Sequence, residues 1–562
     1  MIIDSRKVFR RVGRTARGFI GDRKGGVAII FGLAFPVVAF LSLVVVDFSR
    51  ASAAKQSMQE TLDAAALIVA RSSAVTTDAV DATGDKAFAA LLPANSGIIG
   101  VSADSQGRIA NVTFTMADGK IIGSANGKVA PIVANLFLNG DMGIHATSEV
   151  VRTVNKLEIA LVLDTTGSMQ GAKITNLIAA AKNFVTTMEN GSKKSTEIDP
   201  VKISVVPFSQ TVKVSAPLSM ASYNTTTFSM TGLPTWLDGR NLAMAYDNDI
   251  FTNANATAAN RIDRFKMLKQ MGVSWGGCVE ARVAPYDIRE TAPTSDVLTK
   301  FTPYFWPDES DADAAYQNDY LDDVTTNTNW KVKQSYSPKY NVTQFKSGTR
   351  PPATWIPSSA YGGPWAFGPN AACDMQPIKR LSTDFAGIRT YIGQLTPSGE
   401  TNIPIGLMWG WHTLSPEGPF ADGVSYTTPK TTKIIVLMTD GANTMNDTLG
   451  ANNANNSNYH GYGYLWQNKL GTTSSGSTTT KMNERMVAPT TAPNQEALCA
   501  NIKAKGIKVY TVGVGVDSTS VSLLTKCATA PDYYYDVDSQ AGNLDAAFSA
   551  IAGKIDNLRI SH

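Results

Sequence analysis

The stretch Leu157-Glu-Ile-Ala-Leu-Val-Leu-Asp-Thr-Thr-Gly-Ser168 decides how this chain of 562 residues is read. Leu157 to Leu163 has the length of a strand and is almost wholly apolar, as expected of a parallel strand buried on both faces. Asp164 then opens a turn rich in hydroxyls. Lys202 to Phe208, Ile434 to Met438 and Lys508 to Val514 repeat the apolar pattern. Between the first two runs, Ile174, Leu177, Ile178, Ala181, Phe184, Val185 and Met188 form one stripe of a helix from about Lys173 to Met188. Further helices are expected near Asn402, near Asn494 and over Leu544 to Leu558. Strands alternating with helices predict an α/β, doubly wound sheet.

Ligands of open α/β sheets gather at the carboxyl ends of the strands. Asp164 and Asp440 fall there, the second within Leu437-Met-Thr-Asp-Gly441, while Gly399-Glu-Thr-Asn402 opens a helix between them. Three turns with small hydroxyls and two acids suit a hard cation that prefers oxygen ligands and keeps some water. The bland reading of the first turn alone is a helix cap. Asp164-Thr-Thr-Gly-Ser168, then Thr401, then Asp440, in that order, resembles the metal-ion-dependent adhesion site of von Willebrand factor type A domains, whose pattern is Asp-x-Ser-x-Ser, Thr, Asp. Thr166 replaces the first Ser and keeps its hydroxyl. The resemblance implies a Rossmann-like sheet holding Mg2+, with Ca2+ or Mn2+ as alternatives. Thr166 and Ser168 would bind the ion directly, Thr401 in the open state, and Asp164 and Asp440 directly or through water. A partner's carboxylate would take the remaining position.

Enzyme readings fare worse. The turn echoes the Asp-Lys-Thr-Gly-Thr of P-type ATPases, but Thr165 replaces the Lys and Thr444 stands where the hinge needs a second Asp. A haloacid-dehalogenase phosphatase needs an acid where Thr166 stands, and Thr166 also breaks the Asp-Thr-Gly of aspartic proteases. His412 is not expected to be a ligand, because oxygen donors suit such an ion better and no second His lies nearby. No catalytic residue or organic cofactor is expected.

Charge is distributed unevenly. Residues 1–24 carry eight Lys or Arg against two Asp, whereas the chain as a whole is only +3. Gly26 to Val46 follows without a charge, long enough to cross a bilayer at about 1.5 Å per residue. The basic leader, 1–25, should therefore stay cytoplasmic, with Asp47 and all that follows on the far side of an inner membrane. Nucleic acid is not an expected partner. A cleaved signal peptide fits less well, since the apolar run is too long and no small-residue cleavage site follows. The span, 26–47, continues into an amphipathic extension, 48–71, with Met58, Leu62, Ala65, Ala66 and Val69 on one stripe.

Residues 72–155 show short alternating runs and predict a small β-rich domain. The α/β domain, 156–562, is interrupted at 210–375, where six of the nine Trp lie, and at 447–492, which reads as a surface loop. Beyond a membrane the four Cys should be oxidised. Three connectivities are open, and the cheapest pairs Cys278 with Cys373 and Cys499 with Cys527. Zinc is disfavoured by the absence of a Cys-x-x-Cys pair.

The basic leader, apolar helix and Ala-rich extension resemble the pilin-like segment of Tad (tight adherence, Flp pilus) assembly proteins. Together with the metal motif, Trp275-Gly-Gly-Cys278-Val-Glu280 and Pro404-Ile-Gly-Leu-Met-Trp-Gly-Trp411, most of the chain is similar to TadG-type proteins. This resemblance implies a bitopic, periplasmic binding protein acting in pilus assembly or anchoring through an acidic pilus or envelope partner. A surface adhesin acting directly on host or abiotic targets is the alternative.

Overall fold

The computed structural model describes residues 26–560, except 73, 75, 95, 106, 118–119, 133–139, 152–154, 194, 196, 245–248, 250–260, 312–317, 342–367, 448–454 and 539–541. The basic leader, Trp355, Trp365 and part of the Asn452–Asn456 run lie outside the described residues. Two compact units divide the chain, Met1–Thr153 and Val154–His562.

In the first unit, α1 (Gly26–Arg71) is one continuous helix through Pro36. Its sequence changes partners part-way along. Val27, Phe31 and Leu33 are among many apolar side chains left exposed, a pattern that fits a membrane-spanning segment. From Ala54 the helix buries one stripe, Met58, Leu62, Ala65, Ala66 and Val69, against a small core. Asp47 marks the change: it is buried and accepts a hydrogen bond from the Ile132 N–H at 2.9 Å. A second helix, α2 (Thr77–Leu91), is capped by the Thr76 hydroxyl and buries Val80 and Phe88. Strands β1 (Val112–Ala117), β2 (Lys120–Val129) and β3 (Met142–Val151) form an antiparallel sheet. The region read as β-rich is thus α plus β. Its helix was obscured because Gly84 interrupts an Ala-rich pattern; that glycine lies where a Cβ would strike the Phe114 ring at 2.1 Å.

The second unit begins with β4 (Lys156–Asp164), α3 (Ala172–Ser192) and β5 (Val201–Phe208). A two-stranded ribbon of β6 (Val212–Lys213) and β7 (Cys278–Val279) enters the first insertion. There follow β8 (Lys379–Ser382), α4 (Phe385–Ile392), α5 (Ile403–Leu414), β9 (Thr431–Thr439) and α6 (Thr478–Met486). The chain closes with α7 (Leu498–Ala504), β10 (Lys508–Val514), α8 (Ser518–Cys527), β11 (Tyr534–Val537) and α9 (Leu544–Ile560). The six-stranded sheet runs β11-β10-β9-β4-β5-β8. It is mixed: β8 pairs antiparallel with β5, and every other pairing is parallel.

Both faces of β4 are buried, as its apolar run requires. Ile159, Leu161 and Leu163 meet α3 and α9, where Phe184 and Phe548 pack edge to face at 6.0 Å. Ala160 and Val162 face α5 and the first insertion. Trp275, Trp409 and Trp411 are fully buried there, and Trp409 packs on Trp236 and Phe301 of the insertion. Only part of the second interruption is a surface loop: among its described residues Gly471 and Thr473 to Gly476 are exposed, but the segment before them is largely buried. Tyr459, Tyr462, Tyr464 and Leu465 are buried, so its aromatic residues outweigh the Asn and Ser that give it a loop-like composition.

Disulfides join Cys278 to Cys373 and Cys499 to Cys527, the second bracketing β10 between α7 and α8. Closing a loop of 28 residues restricts the unfolded chain by about 3–4 kcal/mol. The double variant Cys499→Ser/Cys527→Ser should therefore unfold at markedly lower denaturant. Peptide mapping without reductant should recover the linked fragments from the parent protein, and free thiols at both positions would reject the pairing.

Candidate metal centre

Asp164 ends β4 with its side chain sealed from solvent. Its Oδ1 accepts the Thr166 N–H at 2.9 Å and its Oδ2 accepts the Thr439 hydroxyl at 2.7 Å. The turn is fastened to the neighbouring strand by the Thr165 hydroxyl, which donates to the Phe208 carbonyl at 3.0 Å. Thr166 Oγ1 and Ser168 Oγ then lie 2.9 Å apart, and Ser168 donates to Asp440 Oδ1 at 2.7 Å. Asp164, Thr166, Ser168 and Asp440 are thereby brought into one cluster, although 272 residues separate Ser168 from Asp440.

Thr401 reaches the same rim through its backbone. The Gly399 carbonyl accepts the Gly167 N–H at 3.0 Å, tying the first turn to the second. The Thr401 N–H donates to Thr444 Oγ1, and the Thr444 N–H returns a bond to the Thr401 carbonyl, both at 2.9 Å. Gly399 has φ +78°, and a Cβ there would lie 3.1 Å from Ser209 Oγ, so this turn is built for glycine. Glu400 braces it, accepting the Asn446 N–H at 3.0 Å and the Asn458 amide at 2.7 Å. The buried Thr401 makes no side-chain hydrogen bond to the other four residues.

Mg2+ coordinated at about 2.1 Å sets neighbouring oxygens of its octahedron about 3.0 Å apart. The hydroxyl pair at 2.9 Å and the hydroxyl–carboxylate pair at 2.7 Å fit that edge. Ca2+, with longer bonds, would need the cluster to open. Asp164 has a protein donor on each oxygen, an arrangement suited to acting through water. The buried Ser209 hydroxyl beside Gly399 lacks a hydrogen-bond partner. Among the described residues no three His, Cys, Asp or Glu side chains cluster to hold a metal. An ion at this rim would therefore depend on the hydroxyls. His412 is no candidate ligand: it is buried between Phe301 and Trp409, away from these turns.

Three participants had no place in the sequence-derived set. Thr439 orients Asp164, and its signal was adjacency to Asp440. Ser209 follows β5, as Asp164 ends β4. Lys173, at the start of α3, places its ammonium 2.6 Å from Asp440 Oδ2.

Residues 25–72 match the family model described as putative Flp pilus-assembly TadE/G-like, so the chain carries such a segment at its N-terminus. A search of curated proteins finds no match. Among solved structures, the chain is similar to the vWF domain of the type V pili tip protein Mfa5 from Porphyromonas gingivalis, at 12% identity and TM-score 0.30, covering 73% of this chain and 97% of that one. The PilB minor pilin from Streptococcus sanguinis aligns at 12% identity and TM-score 0.28, covering 80% and 78%. The pilus adhesin SpaC from Lactobacillus rhamnosus GG aligns at 12% identity and TM-score 0.29, covering 80% of this chain and 34% of that one. At these scores the structural likenesses carry no conclusion about activity.

Burial, followed by the charge of Asp440, pushes Asp164 up to about 6 from an ordinary 3.8. Between those values the folded protein holds a proton that the unfolded chain has released, so stability is lost as pH rises through that window. Asp164→Asn removes this cost and keeps both hydrogen bonds, with the amide donating to Thr439 and the carbonyl accepting from Thr166. In chelator at about pH 7.5, the variant should melt above the parent, with the gap closing below about pH 4. A variant melting lower at neutral pH would show that burial of this carboxylate carries no penalty.

Proposed function

We propose that the second unit is a doubly wound, Rossmann-like von Willebrand factor A domain that binds an acidic group on a pilus or envelope protein through Mg2+ or a similar ion. The single observation behind this reading is the connected set of Thr166, Ser168, Asp440 and Asp164 oxygens on one rim, with Gly167 and Ser168 facing solvent. Thr166 and Ser168 would hold the ion directly. Asp440 would do so directly or through water, with Asp164 behind and Thr401 joining from the second turn. The bound ion supplies a Lewis-acidic position for an incoming carboxylate.

Around it, the chain's own groups fix the oxygens in place. Thr439 and the Thr166 N–H lock the Asp164 carboxylate, and the Phe208 carbonyl holds the turn through Thr165. This is the work of a binding protein rather than an enzyme. The Thr165 hydroxyl is committed to the backbone, and Thr166 stands where a haloacid-dehalogenase phosphatase needs an acid.

The TadE/G-like segment supports a pilus-associated role, and one helix long and apolar enough to span a membrane fits a single-pass anchor. In this reading the N-terminus is cytoplasmic, and all that follows the span, including the whole second unit, is periplasmic. The protein then contributes to assembling or anchoring Flp/Tad pili, and hence to adherence.

Calorimetric titration of the detergent-solubilised full chain with Mg2+ tests the site. Asp164→Ala and Ser168→Ala should each lose affinity by more than about tenfold while the melting profile stays cooperative. Unchanged affinity in both variants would defeat the assignment. Copurification of an envelope partner should fail in chelator and return with Mg2+. Protection of the exported region from protease until the outer membrane is opened favours the assembly role, and cleavage on intact cells favours a surface adhesin.

A further inference from the structure

Lys173 is the second residue of α3, at the end where a helix presents unpaired N–H groups and favours negative charge. No acidic residue occupies that first turn. A lysine here opposes the helix dipole, and its side chain is only 24% exposed. What offsets this is Asp440, whose side chain is fully buried and whose two carboxylate oxygens accept from Ser168 at 2.7 Å and from Lys173 at 2.6 Å. A residue that breaks a local rule and is held in place by a site acid belongs to the function of that site more readily than to the fold.

We propose that Lys173 is a built-in counter-charge that weakens the rim's hold on a divalent ion and, once the ion is bound, gives the site the surplus positive charge that captures an acidic partner. The proposal rests on the metal-binding reading above. Asp164 and Asp440 bring two negative charges to the rim, and Lys173 brings one positive charge. A divalent cation takes this group to a net positive charge, and one incoming carboxylate returns it to neutrality. Without Lys173, the two acids and the ion already balance. A carboxylate would then lose its water at a site with no net attraction to repay the loss. Lys173 also holds Asp440 Oδ2 before any ion arrives, so the ion must displace or share that contact. One residue thereby sets ion affinity and partner affinity in opposite directions.

The test uses the detergent-solubilised full chain, with Lys173→Met to remove the charge and Lys173→Arg to keep it. Mg2+ affinity is read by titration calorimetry. Affinity for acetate, a minimal carboxylate probe, is read from broadening of its NMR line by Mn2+-loaded protein. Lys173→Met should bind Mg2+ roughly tenfold more tightly and acetate roughly tenfold more weakly, whereas Lys173→Arg should stay within about twofold of the parent on both. A Lys173→Met variant that weakens both affinities, leaves both unchanged, or tightens Mg2+ without loss of acetate overturns the proposal. A parent protein that shows no Mg2+ binding overturns the metal reading itself, so the two failures are distinguishable.

Discussion

Parallel pairing of β4 with both β5 and β9 is the constraint on which the candidate site depends. Leu163 lies opposite Met438 and Asp164 opposite Phe208, so the strands reach their carboxyl ends in step. The next residues, Ser209 on one side and Asp440 on the other, must then emerge beside Asp164. No local sequence feature could place residues 164 and 440 together. It takes a register fixed by side chains buried on both faces, because a slip of one residue would exchange the inward faces of the strand. Ile159, Leu161 and Leu163 fill one core while Ala160 and Val162 meet the other, and the alternation of large and small residues resists such a slip.

The second turn is held by a different device. Every residue of α5 is buried, and the helix lies unusually close to the sheet. A Cβ on Gly406 would meet the Phe208 ring at 2.5 Å, and one on Gly410 would meet Val162 at 2.4 Å. α5 begins at Ile403, capped by the Asn402 side chain, immediately after the turn bearing Thr401. Its far end is pinned by Lys433, which donates to the Leu414 carbonyl at 2.7 Å and is paired with Glu158 of β4. Glu158 is the one charged residue in the apolar β4 run, and this buried pair accounts for it. Removing either partner would leave a buried charge without compensation.

Much of this was legible in the primary structure, for a physical reason. Central strands buried on both faces must be apolar throughout, and Leu157–Leu163, Ile434–Met438 and Lys508–Val514 announce themselves in that way. The edge strands do not: β8 and β11 have only four residues each, half-exposed and mixed in character, so the antiparallel edge was invisible. The acids and hydroxyls of the candidate site could be singled out because turns at strand ends draw on a narrow choice of residue types, and the structure gathers Asp164, Thr166, Ser168 and Asp440. Lys173 could not be placed, because a lysine on an exposed helix start reads as a solvated charge until Asp440 is seen beside it. The burial of Tyr459 to Leu465 was hidden in the same way, since a run rich in Asn and Gly carries the composition of a loop whatever its aromatic rings touch.

The aromatic insertion poses the question of whether so many rings serve a ligand. Their packing argues for structure. Trp236, Phe301, Trp409 and Phe420 form one cluster with centroids 4.9 to 6.5 Å apart, closed over α5. Trp275 is fully buried, and its indole N–H donates to the Cys278 carbonyl at 3.0 Å, next to the disulfide that closes the insertion on itself through Cys373. Such rings have spent their apolar faces inside the fold, and Trp275 its polar handle as well. Tyr304 and Tyr459 continue the cluster towards Gln210, whose amide donates to the Tyr459 carbonyl at 2.8 Å one residue beyond Ser209. The start of the insertion therefore braces the second turn, where the Gln210 carbonyl accepts from the Asn402 amide at 3.3 Å, while Gly167 and Ser168 of the first turn are exposed.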